Sequence, residues 1–257
     1  MSSSLTTSID VAQVVLYAFW LFFFGLIFWL RREDRREGYP LESDAAGLLL
    51  SATPVLIPPA KTFALPHGGT VEAPNFERDR RPMLAERTAG GSGFPLQPTG
   101  DPLLSAVGPA SYAQRADTPE LTRLGHDLIV PLRVAQDFNV SAGPDPRGWD
   151  VVAADGKVAG SVKDLWVDRA DVTVRYVEVE LADAAANPRT RLLPITMLRL
   201  LSEPKKVEVV SVRSHHFAQV PTLKEADRVT LLEEERICAF YAGGRLYADP
   251  KRIGPVL

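Results

Sequence analysis

Cysteine occurs once in this chain of 257 residues, at Cys238, so there is no internal disulfide and no cysteine-rich metal site. Cys238 lies in a helical stretch beside Phe240 and Tyr241, which suits buried packing rather than nucleophilic use. Histidine is scarce as well. His67, His126, His215 and His216 are the full set, few for a metalloenzyme. His215 and His216 are adjacent, so on one regular element they point apart, the pattern of a surface pair rather than a metal site. HExxH, the P-loop, GxGxxG at strand–helix spacing and GxSxG are all missing. A strong charge of one sign is missing too. The 29 basic and 32 acidic residues leave a net charge of -3, which makes no general case for a nucleic-acid partner. No internal repeat is present.

What the chain does have is one long apolar run. Residues 11 to 30 read VAQVVLYAFWLFFFGLIFWL, with Gln13 the only strongly polar side chain. A helix of about twenty residues rises roughly 30 Å, the hydrocarbon thickness of a bilayer. The run has no polar face, unlike a buried soluble helix. It also lacks the basic n-region and small-residue cleavage site of a signal peptide. A transmembrane helix over 11–31 is predicted. Trp29 stands where an interfacial anchor belongs, and Arg31, Arg32, Arg35 and Arg36 follow at once. Basic flanks stay cytoplasmic, so residues 1–10 are predicted to be periplasmic and the rest cytoplasmic. The same arginines suit contact with anionic lipid headgroups.

Residues 32–119 form an extended, Pro-rich segment. Prolines recur from Pro54 to Pro119, with glycine pairs at Gly68–Gly69 and Gly90–Gly91, so helices are excluded and strands are short. Phe63, Leu65, Phe76, Phe94, Leu96 and Tyr112 are too frequent for a pure linker. A segment laid over a partner's surface fits better, because proline lowers the entropy lost on docking.

Residues 120–257 read as a β-barrel-like globular domain with a C-terminal helix. LIVPLRV (128–134) is a strand candidate, and WDVVAADGKVAGSV is two strands joined by an Asp155–Gly156 turn. VTVRYVEVEL, RLLPITMLRL and KKVEVVSV supply further strands, with a loop at 184–190. Many short strands with turn signals point to a small, bent sheet or barrel. Thr222 is read as a cap for LKEADRV, and LLEEERICAFY as a helix ended by Gly243–Gly244. The fold class is therefore a single N-terminal transmembrane helix followed by a mainly β domain with a C-terminal helix.

The chemistry-bearing residues concentrate mid-chain. Asp164, Asp168 and Asp171 lie near Arg169 and Arg175, and Glu178 and Glu180 share one strand face. A solvated face and a chain of protonatable carboxylates tuned by arginines both fit this spacing.

Several strings make the chain recognisable. They are REDRREGYPL (32–41), AKTFALPHGGTV (60–71), PTGDPL (98–103), VGPASYAQRA (107–116), GKVAGSVKDLWVD (156–168), RYVEVEL (175–181), TRLLPITM (190–197) and VTLLEEERICAFYAGGRLYA (229–248). In that order they closely resemble the H subunit of the photosynthetic reaction centre of purple bacteria, over nearly the whole length. The region around 150–200 is similar to the PRC-barrel domain.

The resemblance implies a non-catalytic subunit in an intracytoplasmic photosynthetic membrane. Its globular domain would cover the L and M subunits, stabilise them and shield the quinone–iron region. L and M, not this chain, would hold bacteriochlorophyll, bacteriopheophytin, two quinones and a non-haem iron. A tetrahaem cytochrome subunit, light-harvesting antenna and membrane lipids are further partners by the same resemblance. The family also contributes a proton path to the secondary quinone, QB. Asp168 in LWVD matches an aspartate of that path, and Arg175 an arginine of the same network. Asp171 stands where glutamate is common, one methylene shorter. His126 matches a histidine at the proton entrance, while Leu124 replaces its usual companion histidine and Thr122 a nearby acid. Asp127 or water would then share that role. Imidazole suits an entrance because it titrates near neutral pH. A tethered PRC-barrel adaptor that merely scaffolds assembly is the competing reading.

Overall fold

The computed structural model describes residues 10–39, 41, 56–75, 77, 79–90, 94–183 and 189–252. Residues 1–9 of the predicted periplasmic N-terminus, Phe76 and most of the 184–190 loop lie outside them. The chain divides into two compact units, Met1–Arg78 and Asp79–Leu257.

In the first unit, helix α1 (Val11–Glu33) opens on Asp10, whose side chain accepts a hydrogen bond from the Ala12 N–H. None of its residues is buried. A continuously apolar helix with no protein cover needs an apolar solvent. It is the one described helix long and apolar enough to cross a membrane. Strands β1 (Lys61–Ala64) and β2 (Thr70–Ala73) form an antiparallel hairpin, turning at Gly68 and Gly69 with φ of 95° and 86°. Arg36 ties the hairpin to the helix end. Its guanidinium grips both oxygens of Glu33 and donates to the carbonyls of Pro59 and Ala73. Only 11% of that side chain is exposed, so Arg36 faces inward onto the hairpin. The reason is geometric, since a planar guanidinium has enough donors to close four such bonds. Trp29 and Arg31 are exposed, and Arg32 and Arg35 are half-buried, with Arg35 over the Tyr39 ring.

The second unit starts well before residue 120, the sequence-derived boundary. The short hairpin β3 (Ala85–Arg87) and β4 (Leu96–Pro98) belongs to it. So do Leu103, Val107 and Ala110, which are buried. Residues 116–118 are stitched on by backbone bonds from Leu231 and Leu232.

Its sheet has β5 (Ile129–Pro131), β6 (Asp150–Val152), β7 (Val158–Asp168), β8 (Thr173–Leu181), β9 (Thr190–Pro194), β10 (Arg199–Leu201) and β11 (Lys206–Glu208). The order is β10-β11-β6-β7-β8-β9, with β5 also on β7. Only β11–β6 is parallel. The Asp155–Gly156 hairpin forms as predicted, with Gly156 at φ 75° and an Ala153–Lys157 backbone bond. RLLPITMLRL is not one strand but β9, a 3-10 turn at Ile195–Met197 and β10. Two register shifts bend β7, and Asp164 to Asp168 are all buried. Tyr176 to Val179 of β8 are likewise all buried, so both faces of the strand are covered. The core gathers Trp166, Val151, Val177, Val179, Leu193, Phe217, Ile237 and Tyr241. Each large apolar side chain there contributes about 1.5–3 kcal/mol of burial.

Helix α2 (Leu231–Tyr247) starts where LLEEERICAFY begins, capped by Thr230, while LKEADRV after Thr222 is not helical. The Thr230 hydroxyl accepts from the Glu233 N–H, and the Glu233 carboxylate accepts from the Thr230 N–H at 2.8 Å and the Lys224 N–H at 2.7 Å. Nor does Gly243–Gly244 end the helix. A Cβ on Gly243 would lie 2.6 Å from Ala110 Cβ, and one on Gly244 2.4 Å from Val212 Cγ1. These glycines permit close packing in mid-helix rather than a left-handed cap.

Candidate functional site

The residues singled out mid-chain converge on one end of the sheet. β7 ends at Asp168, opposite Ile129 of β5, and a tight turn through Ala170 and Asp171 leads into β8. Asp168 is buried at 3% exposure. One of its oxygens, Oδ1, accepts from the N–H groups of Ala170 at 2.9 Å and Asp171 at 3.1 Å. This is the usual way a carboxylate closes a turn. The turn also holds Val172 at φ 53°, a strained conformation for a β-branched residue. The second oxygen, Oδ2, lies 3.9 Å from Arg175 Nε. Arg175 is half exposed and Asp171 exposed, so the buried carboxylate has solvent-facing groups at its edge.

His126 belongs to the same end. It is exposed in the Thr122–His126 turn, where its N–H meets the Thr122 hydroxyl and its carbonyl accepts from the Thr122 N–H. Three residues later the chain enters β5 and pairs with Asp168. The Arg169 N–H bonds the Leu128 carbonyl, and its guanidinium the Asp127 carbonyl. Asp127 is held by Arg228 at 3.0 Å, so its carboxylate is engaged. Among the described residues no hydrogen bond joins His126 to Asp168 or Asp171; the topology alone brings them together.

Two groupings were not visible in the sequence. Tyr176 donates to Glu234 Oε2 at 2.6 Å, with Cys238 Sγ 3.8 Å away. Burial pushes the Glu234 carboxyl above its ordinary range against the pull of the Tyr176 hydroxyl and Arg175. Burial likewise raises the Tyr176 phenol and the Cys238 thiol. Cys238 therefore packs as an inert thiol. Arg175 thus faces two carboxylates, Asp168 by contact and Glu234 by field. The other grouping centres on Arg133. It binds Asp164 at 3.1 Å and Asp227 at 2.8 Å, reaches Glu178 at 2.5 Å and donates to the Ala226 carbonyl. Glu178 also accepts from the Trp166 indole and pairs with Lys163. Of the two acids that share a face, Glu178 is thus buried and locked, and Glu180 stays half-exposed.

The histidine pair behaves unlike its prediction. In the 3-10 turn Ser214–Gln219 the rings of His215 and His216 sit 4.0 Å apart rather than on opposite sides. His216 Nδ1 accepts from the Arg213 N–H, which turns its ring back. Burial, followed by the His215 field, lowers its pKa. No group of three or more metal-ligating side chains occurs among the described residues.

A membrane-suited helix, a clamped hairpin and a mainly β unit with a buried carboxylate at its edge define a single-span protein bearing a sheet-based domain. Two family models match. The PRC-barrel domain covers residues 138–216. The photosynthetic reaction centre H-chain N-terminal region covers residues 3–134, over half of the 257. The chain belongs to the reaction-centre H-chain family. It is accordingly a subunit of a photosynthetic reaction centre and associates with other subunits of that complex. The family is a structural subunit, and with the apolar helix it makes this a single-pass membrane protein.

Proposed function

We propose that this chain caps the membrane-embedded L and M subunits, shields their quinone–iron region from water and carries protons toward QB. The N-terminus lies in the periplasm and the globular unit in the cytoplasm. Bacteriochlorophyll, bacteriopheophytin, the quinones and the non-haem iron reside in L and M, where the quinones and iron supply the electron-accepting chemistry. A cytochrome subunit, antenna and lipids are further neighbours in this reading.

One observation supports the proton role above others. Asp168 is buried, yet half-exposed Arg175 lies beside its Oδ2, exposed Asp171 donates its N–H to Oδ1, and the exposed His126 loop leads into the strand that pairs with it. His126 and Asp171 collect protons at the surface. Asp168 passes them inward, its Oδ1 fixed by two N–H groups and its Oδ2 left toward Arg175. At 3.9 Å from Arg175 Nε, Oδ2 makes no direct hydrogen bond there and keeps its lone pairs for a water. Arg175 holds positive charge beside the carboxylate, and Glu234, raised by burial, stands as a second proton-holding group within its field. Low local dielectric under the cap strengthens coupling between these groups and charge on the quinone.

The test is flash-induced proton uptake in assembled complexes. Asp168→Asn should slow uptake with pigment content and assembly unchanged. Unchanged uptake in Asp168→Asn would refute the route and leave a purely structural cap.

A further inference from the structure

The histidine pair of the 3-10 turn Ser214–Gln219 has no place in the proton route, yet it is built into the globular unit. The turn is tied down on three sides. The Ser214 N–H and hydroxyl donate to the Asp155 carboxylate of the β6–β7 hairpin at 3.2 Å and 2.8 Å. Phe217 is buried, and its ring meets that of Tyr241 in α2 edge-on at 6.2 Å. Arg213, just before the turn, pairs with Asp249 beyond the end of α2 at 3.0 Å. Directly upstream, Ser211 and Val212 are the residues against which Gly244 of α2 is packed. The turn therefore fastens the C-terminal half of α2 to the sheet.

One atom holds this turn in shape. His216 Nδ1 accepts from the Arg213 N–H at 3.3 Å, while the His216 N–H donates to the Arg213 carbonyl. An accepting nitrogen carries a lone pair, so the imidazole is neutral with its proton on Nε2. A proton added at Nδ1 replaces that lone pair by a second donor. Two N–H groups then face each other, and the N–H of half-buried Arg213 loses its partner. The surroundings add to the cost. The His215 ring lies 4.0 Å away, and Arg213 carries charge of the same sign. Arg213 is itself answered by Asp249, and Arg252 donates to the Ser211 carbonyl. Burial, followed by the His215 field, outweighs the pull of exposed Asp101 and Asp155, so the imidazole resists its proton.

We infer that His216 is an acid-sensitive latch, neutral while the turn is closed, whose protonation at Nδ1 frees the turn from the Asp155 hairpin and loosens the C-terminal half of α2. Because the folded pKa lies below the ordinary 6.5, the latch is at full strength above 6.5. It weakens as pH falls below 6.5, and its contribution is lost once pH has passed through the folded value.

The test is hydrogen exchange of the full chain in detergent from about pH 7.5 to about pH 5, read by mass spectrometry on peptides covering 211–219 and 240–247. Rates are corrected for the intrinsic pH dependence of exchange, and peptides from β7 and β8 serve as the reference. In wild type, protection of both segments should fall relative to the reference as pH drops, by at most about tenfold per pH unit, the limit for one proton. His216→Asn keeps an acceptor oxygen near the Nδ1 position and has no proton to gain, so its protection should not depend on pH. His216→Phe has no acceptor and should show weakened protection at every pH. His215→Gln removes the neighbouring charge, so the fall should be smaller but present. Constant protection in wild type, or an equal fall in wild type and His216→Asn, would overturn the latch. A fall that survives in His216→Asn and vanishes in His215→Gln would assign the titration to His215 and overturn it as well. Should His216→Asn fail to hold the turn, exchange of the His216 ring C2 proton in wild type decides. A ring that titrates below 6.5 supports the latch, and one that titrates at or above 6.5 overturns it.

Discussion

Gly243→Ala and Gly244→Ala should destabilise the globular unit although both replace glycine in mid-helix. In an open helix this exchange gains about 1 kcal/mol, because alanine restricts the unfolded chain and favours helix. Here the added methyl has nowhere to go. On Gly244 it would sit 2.4 Å from Val212 Cγ1 and 2.8 Å from the Ser211 carbonyl oxygen, and on Gly243 2.6 Å from Ala110 Cβ and 3.1 Å from Ala110 Cα. Comfortable contacts are about 3.5–4.0 Å, and overpacking of this kind costs about 1–3 kcal/mol. Ser211 O and Ala110 are backbone or stub atoms that cannot rotate away, which puts the cost at the upper end. Each variant should therefore lose about 1–2 kcal/mol net. Urea unfolding of the full chain in detergent, followed by tryptophan fluorescence with Trp149 and Trp166 as the buried reporters, gives the number. A variant as stable as wild type, or more so, would show that α2 sits further from Val212 and Ala110 than described.

Three further outcomes follow from the site. Arg133→Ala leaves Asp164 and Glu178 buried without their shared cation and should cost about 2–4 kcal/mol in the same unfolding assay, somewhat below the range for a fully buried pair because the Arg133 side chain is 35% exposed. Arg133→Lys should recover little of this, since an ammonium cannot fork to the same oxygens. Thr230→Ala removes the α2 cap and should cost about 1 kcal/mol in urea midpoint. Glu234 gives a pH signature. Its folded pKa is raised, so the folded state holds the proton more tightly. Its contribution is full below the ordinary value of 4.5 and is lost as pH rises through the folded value. Glu234→Gln should flatten that part of the stability–pH curve, and an unchanged slope would mean the carboxyl is solvated.

Features set by short-range chemistry were legible in the sequence. The apolar run declared α1, and the Asp155–Gly156 pair declared a hairpin because the turn needs a residue at positive φ. LLEEERICAFY declared α2, while Thr222 and Thr230 show why LKEADRV was misread as helical. Each is followed three residues later by a glutamate, so the two capping signals are identical locally. Only Glu233 finds a buried seat, accepting from Lys224 as well as Thr230. The glycine pair misled for a similar reason, since its role is set by Ala110 and Val212, far away in sequence. Arg133 was invisible because Asp164, Glu178 and Asp227 lie 31, 45 and 94 residues from it. Asp168, Asp171 and Arg175 stood out by their spacing, whereas His126 and the proton roles of all four were expected only through family likeness. What the fold adds is that β5–β7 pairing and one turn bring them to the same end.

The most direct measurement compares flash-induced proton uptake in Asp168→Asn, Asp171→Asn and the double variant, each in pigmented complexes of wild-type composition. If both carboxylates serve one route, each single variant slows uptake, and the double variant is no slower than the slower single. Wild-type rates in all three would contradict the account.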